Sequence, residues 1–139
     1  MAQSVFAYRV KEQGLDSLFV VDSFATSAEE IGNPPYSGTV RKLQEVGIPV
    51  VPHRAKQISW DDYDDFDYII GMDEKNIINL NRILRGDPDG KVYKFLTFAG
   101  SGRNIVDPWY VGNFDATYND VQEGCEGFLN YLKTNGELY

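Results

Sequence analysis

Hydrophobic residues recur along this chain at two kinds of spacing. Spacings of three and four residues, the period of an amphipathic helix, predict helices over residues 2–13, 37–46, 74–85 and 114–133. Short continuous apolar runs, typical of strands covered on both faces, predict strands at residues 18–23, 68–72 and 92–96. Helices that alternate with such strands predict an α/β fold, a three-layer domain with a parallel sheet between helices.

Residues next to the apolar segments indicate where helices begin and end. Gly14 follows the first helix as a stop signal, and Asp73 is a predicted N-cap for the third helix. Ser59 and Asp62 have the spacing of a capping box. The carboxylates between positions 61 and 67 do not follow the order of a calcium loop, so we interpret them as a solvated helix start.

Three polar residues, Ser23, Asp73 and Asp107, each come after a predicted strand. The carboxyl ends of parallel strands meet at one edge of a sheet, and α/β proteins bind their ligands there. We therefore expect these side chains to lie on one rim and to form the candidate site.

Asp107 belongs to the stretch Val-Asp-Pro-Trp-Tyr, within a predicted loop over residues 97–113. Pro108 fixes its own φ angle and favours an extended Asp107. The rings of Trp109 and Tyr110 can exclude water and form a flat-sided slot. A carboxyl group in such surroundings has a raised pKa, which suits a general acid near neutral pH. The same residues also fit an ordinary Asp-Pro turn with packed aromatic rings, so both interpretations stay open here.

Composition narrows the classes of function. The chain has 139 residues, 42% of them hydrophobic, and a net charge of −8. These values predict one folded domain over residues 1–139 and argue against nucleic acid or an anionic membrane as partner. We expect a soluble, cytoplasmic protein, because no apolar run is long enough for a membrane span and no signal peptide is evident. The single cysteine, Cys125, excludes an internal disulfide, and the single histidine, His53, limits metal sites.

Several blocks of sequence follow one another in the order and spacing of a known family. The two most specific are Phe-Asp-Tyr-Ile-Ile-Gly-Met-Asp at residues 66–73, with Asn76, and Val-Asp-Pro-Trp-Tyr at residues 106–110. Weaker blocks lie at residues 21–27, 31–35, 47–49 and 53–58. Over residues 1 to about 132 the chain resembles the low-molecular-weight protein tyrosine phosphatases. That resemblance implies their fold, with strand order 2-1-3-4, and hydrolysis of phosphotyrosine monoesters without a metal or other cofactor.

The resemblance implies roles for the residues of the site. In the family, the cysteine of a Cys-x5-Arg loop attacks phosphorus, and an aspartate protonates the leaving phenol and then activates water. Asp107 matches that acid/base, and Trp109 and Tyr110 match the walls of the phenol slot. Ser23 and His53 would support the phosphate loop by hydrogen bonds, although a strand-end serine and a satisfied loop histidine fit equally well. Asp73 would cap its helix and steady the loop arginine, with the cap as the simpler role.

One departure from the family matters most. The family's first strand and its Cys-x5-Arg loop are not found in these 139 residues, so the domain is expected to be N-terminally incomplete, through an internal start or a truncation. Cys125 does not substitute, because position 131 is Tyr rather than Arg and Cys125 lies on a predicted core stripe. We expect the complete protein to be a phosphatase and this chain to be inactive. A non-catalytic interaction domain and a thiol-dependent arsenate reductase are the alternatives, and the second needs several cysteines.

The missing strand predicts an unusual sheet. In the order 2-1-3-4 it would lie between residues 18–23 and residues 68–72, leaving unpaired N–H and C=O groups on both. Of three possible outcomes, we expect the two segments to close on each other or to take a segment from a second copy, rather than to leave the domain open and mobile. A segment from a second copy would make the chain a homo-oligomer through the vacated strand position.

Overall fold

The computed structural model describes residues 1–26, 37–51, 56–105 and 114–136. Within these residues lie four α-helices, all close to the predicted positions: α1 (Ala2–Glu12), α2 (Ser37–Glu45), α3 (Glu74–Ile83) and α4 (Phe114–Thr134). Two strands are β1 (Ile69–Gly71) and β2 (Val92–Lys94), and three 3-10 turns span Asp16–Leu18, Trp60–Asp65 and Phe95–Ala99. None of the helices in this part of the chain is long and apolar enough to cross a bilayer.

The sheet separates two hydrophobic clusters. β1 and β2 pair in parallel, with Ile69 opposite Val92 and Ile70 opposite Tyr93. Ile69 joins a cluster with Tyr63 and Leu80, whereas Ile70 packs on the cluster that α1 and α4 build. Successive side chains of a strand point to opposite faces, so the two clusters cover the two faces of the sheet. This arrangement confirms the predicted α/β fold with a parallel sheet between helices.

The larger cluster joins the two ends of the described chain. Val5 and Val10 of α1 are buried with Val121 and Leu129 of α4. The rings of Phe6 and Phe128 lie 5.5 Å apart between the same two helices. Spacings of three and four residues give each helix one apolar face, and the two faces cover each other.

The 3-10 turn at Phe95–Ala99 lies against α4 at two glycines. A Cβ atom on Gly124 would lie 2.7 Å from the ring of Phe95, and one on Gly127 would lie 2.5 Å from the carbonyl oxygen of Phe98. Only residues without a side chain allow this approach. The strand predicted over residues 92–96 therefore ends at Lys94, because the chain turns there to pack on the helix.

The strand predicted at residues 18–23 is wrong. Residues Asp16–Leu18 form a 3-10 turn, and Phe19 is extended, with φ −125° and ψ 141°. Only one face of this segment is covered: Phe19 packs edge-on against Phe6, while Val20 is 90% exposed and Leu18 is 50% exposed. An apolar run forms a strand only when a neighbour supplies ladder hydrogen bonds.

Closure of the sheet, one of the two expected outcomes, does not occur in this single chain. Within the described residues β1 forms a ladder with β2 only, and the extended segment after Leu18 does not form a ladder with it. An isolated parallel bridge joins Ala25 to Gln57 instead. Assembly with a second copy stays a prediction.

Candidate active site

Ser23 is tied to the first turn of α1. Its hydroxyl group donates a hydrogen bond of 2.7 Å to the side-chain oxygen of Gln3, and the Gln3 amide donates to the carbonyl oxygen of Val21 at 3.2 Å. The Ser23 N–H donates to the side chain of Asp22. These bonds hold the chain at Ser23 beside the beginning of a helix, where backbone N–H groups favour an anion.

Ser4 anchors the chain that leads to His53. The residue is buried on α1, and its hydroxyl oxygen accepts a hydrogen bond of 3.0 Å from the N–H of Val51. His53 itself lies outside the described residues, as residues 52–55 do. Neither Ser4 nor Gln3 was among the predicted site residues. The available signal for Ser4 was a polar side chain directly before the apolar pair Val5 and Phe6.

Asp73 is the N-cap of α3, as predicted. One of its side-chain oxygens accepts a hydrogen bond of 2.7 Å from the N–H of Asn76. The Asn76 side chain reaches back and accepts from the N–H of Met72 at 3.1 Å. Such a reciprocal pair satisfies backbone donors at both sides of the helix start. The structure thus shows Asp73 as the N-cap of α3. Its other predicted role, to steady the arginine of the phosphate loop, stays a prediction.

Two hydrogen bonds fix the chain just before the Asp-Pro stretch. The N–H of Ile105 donates to the carbonyl oxygen of Met72 at 2.9 Å, and the side-chain oxygen of Asn104 accepts from the N–H of Glu74 at 3.1 Å. Ile105 is 4% exposed and belongs to the larger cluster. These contacts bring the chain to the carboxyl end of β1. Asp107, Trp109 and Tyr110 follow within residues 106–113, outside the described residues.

Charged side chains also hold residues 102 and 103, which come before the Asp-Pro stretch. The guanidinium group of Arg103 lies 2.8 Å from Asp120 and 3.4 Å from Glu123, both on α4. The hydrogen bond to Asp120 raises the pKa of Arg103 above its ordinary value. Lys94 donates to the carbonyl oxygen of Gly102 at 2.7 Å. Residues 102–105 are therefore held between β1, β2, α3 and α4.

Cys125 has the properties of a core residue. It is 1% exposed on the buried face of α4, and burial raises its pKa to about 12. A nucleophilic cysteine needs access and a lowered pKa. The structure therefore agrees with the sequence in excluding Cys125 as a family-type nucleophile.

Comparison with known proteins identifies the family. A family model described as low molecular weight phosphotyrosine protein phosphatase matches residues 1–138. The low molecular weight protein-tyrosine-phosphatase YfkJ of Bacillus subtilis is 32% identical over 140 residues, covering 99% of this chain and 90% of that protein. Its crystal structure superposes with a TM-score of 0.90 over 96% of this chain and 86% of that one.

Two further relatives match most of the chain. A low molecular weight phosphotyrosine protein phosphatase of Saccharomyces cerevisiae is 37% identical over 130 residues, covering 88% of this chain and 78% of that protein. The crystal structure of a low molecular weight protein tyrosine phosphatase from Streptococcus pyogenes has a TM-score of 0.84 at 36% identity, covering 94% of this chain and 82% of that one. The fold and these comparisons define a protein of the phosphatase type. The chain belongs to the low molecular weight phosphotyrosine protein phosphatase family.

Proposed function

We propose that this domain, in a complete form that carries the Cys-x5-Arg loop, hydrolyses phosphotyrosine monoesters, with Asp107 as the general acid and base. The observation that supports this proposal is the pair of hydrogen bonds at Asn104 and Ile105, which hold the two residues that come shortly before Asp107 at the carboxyl end of β1. Parallel sheets bind ligands at that edge. Ser23 likewise follows an extended segment, and its side chain is hydrogen-bonded to the first turn of α1.

The chemistry follows the family. The thiolate of a Cys-x5-Arg loop attacks phosphorus, an S–P bond forms and the bond between phosphorus and the phenol oxygen breaks. Asp107 gives its proton to the departing phenol oxygen, then takes a proton from the water that attacks the phosphocysteine; this attack breaks the S–P bond and releases inorganic phosphate and the free thiolate. Trp109 and Tyr110 enclose the phenol ring, and Ser23 and His53 support the loop. The substrate is a phosphotyrosine-containing protein or a small aryl phosphate.

The 139 residues contain no Cys-x5-Arg loop, which gives the first test. We expect the chain to show no significant hydrolysis of an aryl phosphate, because a catalytic unit without its nucleophile retains only residual rates. A version extended at the N-terminus by the family's strand and loop should hydrolyse it. Turnover by a purified, contaminant-free 139-residue chain would overturn the assignment and return attention to Cys125.

The second test uses leaving groups in the extended version. Asp107→Asn should lower kcat by roughly two to four orders of magnitude for poor leaving groups, and only slightly for good ones, because a good leaving group departs without a proton. Asp89→Asn, a change of an exposed aspartate in a different turn, is the matched control and should leave kcat unchanged. An equal loss for both kinds of leaving group contradicts the role of Asp107. Tight binding of a phosphotyrosyl peptide without turnover would instead favour an interaction domain.

A further inference from the structure

We propose that Gln3 is a positioning residue that fixes the direction of the Ser23 hydroxyl group. This inference rests on the proposed function, in which Ser23 supports the phosphate loop. The observation is a chain of two partly buried hydrogen bonds. The Ser23 hydroxyl group donates to the side-chain oxygen of Gln3 at 2.7 Å, and the Gln3 side-chain nitrogen donates to the carbonyl oxygen of Val21 at 3.2 Å.

The polarity of this chain of bonds is set at Val21. A carbonyl oxygen can only accept, so the NH2 group of the Gln3 amide faces Val21. The amide oxygen then faces Ser23, and this oxygen also can only accept. The Ser23 hydroxyl group is therefore the donor, and its single proton lies on the side of Gln3.

The direction of that proton limits what else Ser23 can bind. With its proton given to Gln3, the hydroxyl oxygen can only accept from any further partner. The oxygens of a phosphate ester are acceptors at neutral pH, so they do not suit Ser23 as a direct ligand. An N–H or O–H group of the phosphate loop does suit it. Gln3 thus decides which groups of the site Ser23 can hold, without touching the substrate itself.

The two parts of the chain that Gln3 joins are themselves held in place. Ser4, the next residue of α1, is 6% exposed and accepts a hydrogen bond from the N–H of Val51, and Val5 is fully buried. On the other side, Val21 packs against the larger cluster. Because both attachment points are anchored, the Gln3 side chain has a defined path between them.

Another contact of Ser23 does not replace the bond to Gln3. The Ser23 N–H donates to the Asp22 carboxylate at 2.8 Å, but this contact is exposed and orients the backbone rather than the hydroxyl group. Gln13, at the other end of α1, offers a matched control. Its side chain makes an exposed contact with Lys133 and lies away from Ser23.

The first test is NMR on the isotope-labelled 139-residue chain. Couplings between the Hα and the two Hβ protons of Ser23 report its χ1 rotamer, and the carbonyl 13C shift of Val21 reports the bond to Gln3. Gln3→Met keeps the side-chain length and the helix preference but removes both polar groups. It should average the Ser23 rotamers and shift the Val21 signal, whereas Gln13→Met should change neither.

Gln3→Glu separates the two hydrogen bonds. A carboxylate keeps an acceptor for the Ser23 hydroxyl group and has no donor for Val21. This variant should shift the Val21 signal while Ser23 stays in one rotamer. The remaining amide signals verify that each variant keeps the wild-type fold. A Ser23 that averages its rotamers in the wild type, or keeps a single rotamer in Gln3→Met, overturns the inference, as does an equal change in Gln13→Met.

A double-mutant cycle in the extended version connects the contact to the reaction. With a good leaving group, which departs without a proton from Asp107, Gln3→Met should lower kcat/KM by about three- to tenfold, as for the loss of one hydrogen bond. It should have no further effect in a Ser23→Ala background, because Gln3 acts through Ser23.

The outcomes separate this inference from the proposed function. If Asp107→Asn shows its leaving-group dependence but the losses from Gln3→Met and Ser23→Ala add, the positioning role alone fails. If the extended version does not hydrolyse aryl phosphates, the proposed function fails, and the NMR test still decides whether Gln3 directs the Ser23 hydroxyl group.

Discussion

Gly127→Ala should destabilise the protein, although the same change stabilises most helices. The residue lies in the middle of α4, where alanine is preferred to glycine by about 1 kcal/mol. A Cβ atom at this position would lie 2.5 Å from the carbonyl oxygen of Phe98, 2.6 Å from its carbonyl carbon and 2.8 Å from the backbone nitrogen of Ala99. These are backbone atoms, so no change of a side-chain rotamer relieves the contact.

The magnitude follows from the two opposing effects. Overpacking in a tight interface costs about 1 to 3 kcal/mol, and a contact with the backbone belongs at the upper end of that range. Subtracting the helix preference of about 1 kcal/mol leaves a net loss of about 2 kcal/mol. The free energy of unfolding should fall by that amount.

Urea unfolding followed by far-UV circular dichroism measures the change. Glu126, an exposed neighbour on α4, supplies the control: Glu126→Ala should be about 1 kcal/mol more stable than Glu126→Gly. A Phe98→Ala change should not rescue Gly127→Ala, because the clash involves the Phe98 backbone. A Gly127→Ala variant as stable as wild type, or more stable, would refute the close approach of the Phe95–Ala99 turn to α4.

Three further predictions concern other parts of the molecule. Asp73→Ala should cost about 1 kcal/mol of unfolding free energy through loss of the cap, measured by urea unfolding, with the exposed Asp64→Ala near zero. Burial raises the pKa of Cys125 from 9.0 to about 12, so the unfolded thiol ionises first and stability is lost as pH rises from about 9. Relative to Cys125→Ala, the wild type should lose about 1 kcal/mol between pH 8 and pH 10, and an equal pH dependence of the two proteins would contradict the burial. Sedimentation should show a dimer that Val20→Lys dissociates, whereas a wild type that stays monomeric at high concentration would exclude self-assembly through this segment.

Features set by neighbouring residues could be predicted from the sequence. The apolar stripe of α4 continues over six turns, so its position is clear without any knowledge of its partners. The cap at Asp73 and the capping box at Ser59 depend on residues three positions apart. Several separate blocks of sequence predicted membership of the phosphatase family, and the comparisons confirm that membership.

Features that need a distant partner could not be predicted. Residues 18–23 have the composition of a strand, but a strand also requires a neighbouring chain, and composition does not show whether one is present. Asn104 gives no local signal, because its partner Glu74 is 30 residues away. Ser4 likewise meets Val51 across 47 residues. Four predicted site residues lie outside the described residues, so their roles stay predictions: His53, Asp107, Trp109 and Tyr110.

The packing of the first helix on the last has a consequence for how the chain folds. Arg9 bonds to Gln122 and Lys133 bonds to Gln13, contacts that span 113 and 120 residues. The apolar face of α1 therefore lacks the cover that α4 supplies until α4 has been synthesised and released, and a growing chain exposes that part of the face throughout. Contacts of such high sequence separation also slow folding, because a long loop must close before any of them forms. The nascent domain should depend on rapid release or on a chaperone more than its modest length suggests.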